Sequence, residues 1–498
     1  MTPDQSPSAP DESSENAQPI TRSVMIAGEM LNWSDLKPSD GHPALSGSAP
    51  AAVVEAALGE GTGSVLVAGP HSLELLELIT ERATSVDVLV RSAPDAEEIA
   101  EALDVRVFCG SLDHFGQAHG ERAYDVVVAL DGLHRLVGPD TLVLAWVDAL
   151  AALRARVAPT GRLLLAAENS FSLERLIQPD PTMTVPRDES WPRDLAGDVT
   201  PPLGLKAVTA ALAAAGLSVT QTYAVYPSPV DADIALTEVT GPLAAAAVAR
   251  SVAARFAGPT LTDPYRTASD VFASGLSLEL APAWYFVTGA AELPPVLPDD
   301  AVPAGNGALL EEALFAALRI DDHAALRRIA RAYVKWLLAE APDVAAVASP
   351  DNVIADGASY RVFGDGVVAA GKGDGLVVNH LARFVRRSLR AGSRQPWAAG
   401  STPRDVTARL ASMAGITVTD ELWDTVAAGN EIVRPAGTAE LLATIARLSQ
   451  ELTDASRQAS LFEGQLHGIR RSRPYRVGLA VLNPARVVVR RIRRMTSR

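Results

Sequence analysis

The sequence predicts an α/β protein: a doubly wound parallel sheet, followed by a mainly helical region and a C-terminal coiled-coil/basic helix. Three observations predict it. Strand and helix patterns alternate from Ser64 to Ala166. The strand segments are short continuous apolar runs such as Val65-Leu66-Val67-Ala68, as a parallel sheet covered on both faces requires. The first of these strands runs through one glycine, Gly69, directly into a helix. Such strand–turn–helix junctions are where open α/β sheets meet their ligands.

The elements follow in order. Ser64–Ala68 reads as a strand and Leu73–Thr80 as a helix. Val86–Val90 is a strand, Asp95–Leu103 a helix and Val105–Cys109 a strand. Tyr124–Leu130 is a strand, Asp140–Val157 a helix and Arg162–Ala166 a strand. Leu205–Ala215 is a helix stopped by Gly216. Leu217–Tyr226 and Ala232–Val239 read as a closing pair of strands. Further on, Leu309–Ile320, His323–Ala339 and Pro403–Ala414 carry apolar residues at helical spacing, with Leu326, Ile329, Tyr333 and Leu337 as one example. Asn352–Val367 reads as a small hairpin around Asp356-Gly357.

These elements divide the chain of 498 residues. Residues 1–23 are rich in Pro, Ser, Asp and Glu and read as a disordered acidic leader. Residues 24–290 form the α/β domain. The prolines of 291–305 oppose both helix and sheet and mark a linker. Residues 306–437 form a mainly helical domain with the small hairpin. Over 438–469, Leu441, Ile445, Leu448, Leu452, Ala455, Ala459, Phe462 and Leu466 alternate steps of four and three, a coiled-coil seam of roughly four heptads. Over 438–466 that seam would pair two copies of the chain; the alternative is one amphipathic helix packed on its own domain. Residues 470–498 form a basic amphipathic tail.

Charge is unevenly distributed. The net charge is −15, yet 464–498 holds ten arginines and no acid. An acidic body with a basic tail excludes general nucleic-acid binding by the body and points the tail at an anionic surface. In the helix expected after Asn483-Pro484, Val488, Ile492 and Met495 share one face. Arg486, Arg490, Arg493 and Arg494 lie largely on another, a pattern suited to lipid phosphates. The alternative is a solvated charged terminus. No apolar run is long enough to span a membrane. The single cysteine, Cys109, excludes a disulfide framework and fits a reducing, cytoplasmic compartment. No zinc spacing, phosphate loop or Ser-His-Asp signature occurs, so no metal is expected.

Candidate chemistry gathers at the carboxyl ends of the strands. Gly69 lets backbone approach a ligand. Asp131 and His134 follow the fourth strand, and His134 is suited to take a proton from a hydroxyl; its plain alternative is a surface loop histidine. Asp113 follows the third strand, as a ligand contact or as a helix cap. Glu168 and Asn169 end the fifth strand, as the mouth of a site or as a cap for the next helix.

These motifs resemble class I S-adenosylmethionine-dependent methyltransferases over about 51–290. Val65 through Ser72 is similar to the family's first motif. Tyr124-Asp125-Val126-Val127-Val128-Ala129-Leu130-Asp131 is similar to its fourth strand. Leu153 through Asn169, with Pro159 and Gly161, is similar to its fifth. The segments Ala167-Glu168-Asn169, Ala224 through Pro229, Leu280 through Val287 as a closing strand, and Pro350-Asp351-Asn352-Val353-Ile354 resemble one subgroup. Its members lie beside or fused to glycosyltransferases of bacterial surface-polysaccharide synthesis. Ser472-Arg473-Pro474-Tyr475-Arg476 resembles tails of such glycosyltransferases. The resemblance implies a seven-stranded Rossmann-like sheet. It implies S-adenosylmethionine held by Gly69, Ser72, Ser92, Asp113 and Leu130, catalytic Asp131 and His134, and a substrate mouth at Glu168 and Asn169. The chain departs from the pattern at three points. His71 and Leu73 stand where further glycines are expected, and the second strand ends Val90-Arg91-Ser92 without the acid that holds the ribose.

Two functions follow. One is an O-methyltransferase acting on a sugar or glycan intermediate in surface-polysaccharide synthesis, peripheral at the inner membrane face. The other is a catalytically inactive methyltransferase-like scaffold that binds a glycosyltransferase partner or the membrane surface.

Overall fold

The computed structural model describes residues 23–37, 43–59, 61–138, 144–178, 200–256, 260–289, 292–390, 396–397 and 401–426, together with Leu452, Thr453 and Phe462. The chain separates into two units, Met1–Pro435 and Ala436–Arg498. The heptad seam and the basic tail lie almost wholly outside the described residues.

The α/β domain opens with β1 (Ser23–Met25), α1 (Ser48–Leu58), β2 (Thr62–Ala68), α2 (Leu73–Arg82), β3 (Ala83–Val90), α3 (Ala93–Ala102) and β4 (Arg106–Cys109). It continues with α4 (Leu112–His119), β5 (Tyr124–Ala129), α5 (Trp146–Arg154), β6 (Val157–Glu168), α6 (Leu173–Ile177), α7 (Leu205–Ala214) and β7 (Val219–Tyr226). It closes with β8 (Ile234–Leu236), α8 (Pro242–Arg255), α9 (Pro264–Ala273), β9 (Ala283–Thr288) and β10 (Val296–Leu297). The strands form one sheet in the order β1-β4-β3-β2-β5-β6-β9-β7-β8-β10. Pairs from β1 to β6 are parallel. β9 runs antiparallel to both of its neighbours, β6 and β7.

The sheet has ten strands rather than the expected seven. β8 falls within the expected strand Ala232–Val239, and β9 is the closing strand. The strands with no counterpart among the expectations are the edge strands β1 and β10, three and two residues long. Segments that short carry no readable periodicity.

Each strand divides its side chains between two cores, as the two-residue period demands. Val65 and Val67 pack with Val53 of α1, Leu76 and Ile79 of α2 and Ile99 of α3. Leu66 and Ala68 pack on the opposite face, with Phe115 of α4, Leu153 of α5, Leu212 of α7 and Val248 of α8. Helix starts are capped by their own side chains: Ser72 accepts from the Leu75 N–H, and Ser92 from the Asp95 N–H.

The segment expected as a linker is bonded to the sheet. Val296 and Leu297 pair with Leu236 and Ala235. The Gln221 amide exchanges hydrogen bonds with Leu293, and the Tyr223 hydroxyl donates to the Pro294 carbonyl at 2.7 Å. Prolines lack an N–H but keep the carbonyl, so an edge accommodates them.

Beyond it lie β11 (Ala308–Leu309), α10 (Leu310–Arg319), α11 (His323–Leu337), α12 (Pro342–Val347), β12 (Val353–Asp356), β13 (Ser359–Val362), α13 (Asp374–Arg390), α14 (Pro403–Met413) and α15 (Asp420–Asp424). β12 and β13 form the expected hairpin, and β11 adds a third strand. Leu314, Leu326, Leu381, Phe384 and Leu410 make a separate core for this region. The long helix α13 has no counterpart among the sequence expectations. Its Val377, Leu381, Phe384 and Val385 recur at helical spacing and are buried.

Candidate functional site

The carboxyl edge of β2, β3, β4 and β5 is where the fold would hold a ligand. At the end of β2, Gly69 adopts φ +95°, which a glycine accommodates. Two backbone donors of this turn are used within the chain. The Gly69 N–H donates to Leu89 O and the Ser72 N–H to Leu45 O, both at 2.9 Å, and Pro70 has no N–H. His71 is fully buried. Its Nδ1 lies 2.9 Å from the Gly69 carbonyl, so Nδ1 carries the proton and Nε2 is a buried acceptor without a partner. Burial lowers its pKa and keeps the ring neutral. Leu73 opens α2 and packs into the core between α1 and α2.

At the end of β3 stands Arg91, which is 2% exposed. Its guanidinium forks onto Asp35, with Nε 2.7 Å from Oδ2 and Nη2 2.8 Å from Oδ1, and Nη1 donates to the Val137 carbonyl at 3.2 Å. Ser92 donates its hydroxyl to the Trp33 carbonyl at 2.8 Å while capping α3. The segment around Asp35 is anchored by Asp95 in the first turn of α3. That carboxylate accepts from the Ser34 hydroxyl (2.5 Å) and the N–H groups of Asp35 (2.8 Å) and Leu36 (3.2 Å). Burial raises the Asp95 pKa against these bonds.

The end of β5 is built the same way. Asp131 is buried and takes both Nε (2.8 Å) and Nη2 of Arg135. Arg135 also donates to the Pro43 carbonyl at 3.1 Å. Its Nη1 lies 3.9 Å from Asp35, so the two ion pairs adjoin. A methyl group added at Gly69 would meet Asp131 Cβ and a Leu136 methyl, each at 3.6 Å. The loop after β5 therefore lies over the turn. His134 is partly exposed, with Nε2 3.8 Å from Asp131 Oδ2.

After β4, the Ser111 N–H donates to Ala27 O and the Leu112 N–H to Leu136 O. A Cβ at Gly110 would collide with the Ala27 carbonyl. Asp113 lies in the first turn of α4, 3.3 Å from His114 Nδ1. Leu130 is a core residue. Glu168 ends β6 exposed. Asn169 is buried and holds the chain before β9, donating to Glu279 O (2.8 Å) and Ala281 O (3.0 Å). Cys109 is also buried, which pushes its thiol up to about 12 and rules it out as a nucleophile at neutral pH.

Gly69, Ser72, Ser92 and Asp131 thus share one edge, but each is already engaged inside the chain. The sequence reading missed Arg91, Asp35 and Arg135. The spacing of Asp131 and Arg135 by four was a readable signal. Asp35 had none, because its partner is 56 residues away.

The resemblance implies S-adenosylmethionine at this edge. At the turn the Gly69 and Ser72 N–H groups are taken up within the chain, while His71 Nε2 is a buried acceptor left for a ligand. The position expected for a ribose acid holds an arginine paired to Asp35. The strap around Ala27 covers the turn after β4. Among the described residues no group of His, Cys, Asp and Glu is placed to hold a metal ion. No described helix is long and apolar enough to cross a membrane.

No family model and no curated protein matches the chain. Several solved structures are similar. A 1,6-didemethyltoxoflavin-N1-methyltransferase from Burkholderia thailandensis, with S-adenosylhomocysteine bound, is 20% identical over 35% of this chain and 68% of its own (TM-score 0.24). CalS10, an amino pentose methyltransferase from Micromonospora echinaspora with SAM bound, is 26% identical over 23% of this chain (TM-score 0.19), and this chain spans 46% of its length. A SAM-dependent methyltransferase from Archaeoglobus fulgidus is 12% identical over 48% of this chain and 90% of its own (TM-score 0.27). The strand order, rather than these partial likenesses, carries the fold. The α/β domain is a Rossmann-like, mainly parallel sheet.

Proposed function

We propose that the chain is a methyltransferase-fold scaffold whose cofactor edge is filled from within. The observation that carries this reading is the pair of adjoining buried ion pairs, Asp35–Arg91 and Asp131–Arg135, at the ends of β3 and β5. Buried forked pairs with further carbonyl contacts do not open cheaply: breaking one by losing a partner costs about 3–5 kcal/mol. As a scaffold, the chain would meet its partners through the seam of 438–466, as a homodimer or with a glycosyltransferase, and through Arg470–Arg498 on anionic lipid. Liposome flotation of the full chain and of a chain ending at 469 tests the tail. Equal flotation of both would end the membrane proposal.

A second reading is an O-methyltransferase for a sugar or glycan intermediate, with S-adenosylmethionine as donor and Asp131 and His134 at the acceptor. His71 favours it: a buried Nε2 without a partner at the ligand turn is an acceptor that a ligand hydroxyl or amine would satisfy.

Calorimetric titration with S-adenosylhomocysteine separates the two. The scaffold reading expects no saturable heat up to millimolar ligand. Saturable binding that Gly69→Leu abolishes would overturn it in favour of the methyltransferase.

A further inference from the structure

A dense cluster of charges away from the sheet edge lies where the α/β domain meets the helical region. Five pieces of chain converge there: α8 with Arg250, α9 with Tyr265, α10 with Glu311 and Glu312, the turn Pro350–Asn352 with Asp351, and α13 with Arg383 and Arg387. The Arg387 guanidinium lies over the Tyr265 ring at 5.1 Å, and that of Arg250 over Phe363 at 4.2 Å.

Two buried carboxylates compete for Arg387, and their surroundings differ. Asp351 accepts from Arg383 Nη2 (2.7 Å) and Nε (3.1 Å) and from the Ser349 hydroxyl (2.5 Å), with Arg387 Nη1 at 3.8 Å. Glu311 has no exposed surface. Both its oxygens look to one donor, Arg387 Nε, at 2.9 and 3.2 Å. An ionised carboxylate can accept about four hydrogen bonds. Asp351 is therefore the group furnished to hold a charge, and Glu311 is the one furnished to hold a proton.

We infer that Glu311 is a proton-operated latch between the α/β domain and the helical region. With the proton on Glu311, Asp351 is the one charged carboxylate facing Arg383 and Arg387, and the α9–α10–α13 junction is closed. When the proton leaves to solvent, a second carboxylate is charged in a dry site with a single donor, and the junction loosens. The charged and titratable groups that face Glu311 are Arg387, Asp351, Glu312 and Tyr265, and Arg383 and Arg250 act on it through Asp351 and Arg387. Asp351 stays ionised throughout: against the effect of burial, Arg387 and Arg383 hold it well below the usual carboxylate range. Burial pushes Glu311 up to about 7, against an ordinary value of 4.5. A raised acid stabilises the fold fully below its ordinary value and loses that contribution as pH climbs through the folded value.

Hydrogen–deuterium exchange of the full chain tests the latch, read on the α10 and α13 amides at about pH 6 and about pH 8 and corrected for intrinsic rates. The wild type is expected to lose roughly tenfold in protection over this step, since each pH unit in the titrating window is up to tenfold in the closed-to-open ratio. Glu311→Gln is expected to lose none. Equal losses in both proteins would overturn the latch. If Glu311→Gln does not fold, carboxyl NMR of the wild type with labelled glutamate decides. One glutamate titrating near neutrality supports the latch, and none titrating between about 6 and 8 overturns it.

Discussion

Asp35→Ala is the sharpest perturbation of the closed edge. The substitution removes both acceptors of the Arg91 fork, at 2.7 and 2.8 Å, and a neighbour of Arg135 at 3.9 Å. Arg91 keeps only its bond to the Val137 carbonyl and stays 2% exposed. Hydrogen bonds to charged groups contribute about 1.5–3 kcal/mol each. A buried guanidinium left without its counter-ion costs about 3–5 kcal/mol in all. Water reaching the vacated volume would offset part of that, so about 3 kcal/mol is the expected loss. The assay is denaturant unfolding of the full chain, followed by a probe in the α/β domain. Lys37→Ala is the control. The Lys37–Glu98 pair lies in the same strap but is solvent-facing, with the lysine side chain 72% exposed, and its removal should be nearly silent. The Asp35 effect should persist in high salt, because a buried pair is little screened. A loss below about 1 kcal/mol, or one that vanishes in salt, would refute the closed edge.

Two further outcomes follow from the same geometry. Gly110→Ala should destabilise the α/β domain by roughly 2 kcal/mol or more in thermal unfolding, because the new Cβ meets the Ala27 carbonyl at a residue with φ +148°. Burial lowers the pKa of His71, His119 and His380, so their contribution is complete above the ordinary histidine value of 6.5 and is lost as pH falls below it. Glu311 opposes them between its ordinary value of 4.5 and about 7, so stability measured against pH should level off near neutrality. A profile still rising at about pH 8 would contradict this assignment.

The fold was largely legible in the sequence because its signals are local. A continuous run such as Val126-Val127-Val128 can only be buried on both faces, and β5 lies in the middle of the sheet with β2 and β6 on either side. Ser72 and Ser92 precede helical patterns and do cap α2 and α3. The hairpin around Gly357 follows from a residue that accepts φ +61°. The candidate site was legible only as a place. Gly69, Ser72, Ser92 and Asp131 lie at one edge, yet nothing in their spacing disclosed that Leu45 takes the Ser72 N–H or that Arg135 takes Asp131.

By itself, the sequence determined the alternation of strands and helices, the two apolar faces of each strand and the missing glycines at 71 and 73. All of these are written in neighbouring residues. The tertiary structure alone decided that β1 and β10 lengthen the sheet, that the proline-rich segment is bonded to it, and that Asp35 reaches Arg91 and Glu311 reaches Arg387. Those partners are separated by 56 and 76 residues. Hydrophobic periodicity acts over one or two turns of chain. A buried ion pair depends on which distant segments the packed core brings within about 3 Å. That is why the ligand edge could be located from the sequence while its closure could not.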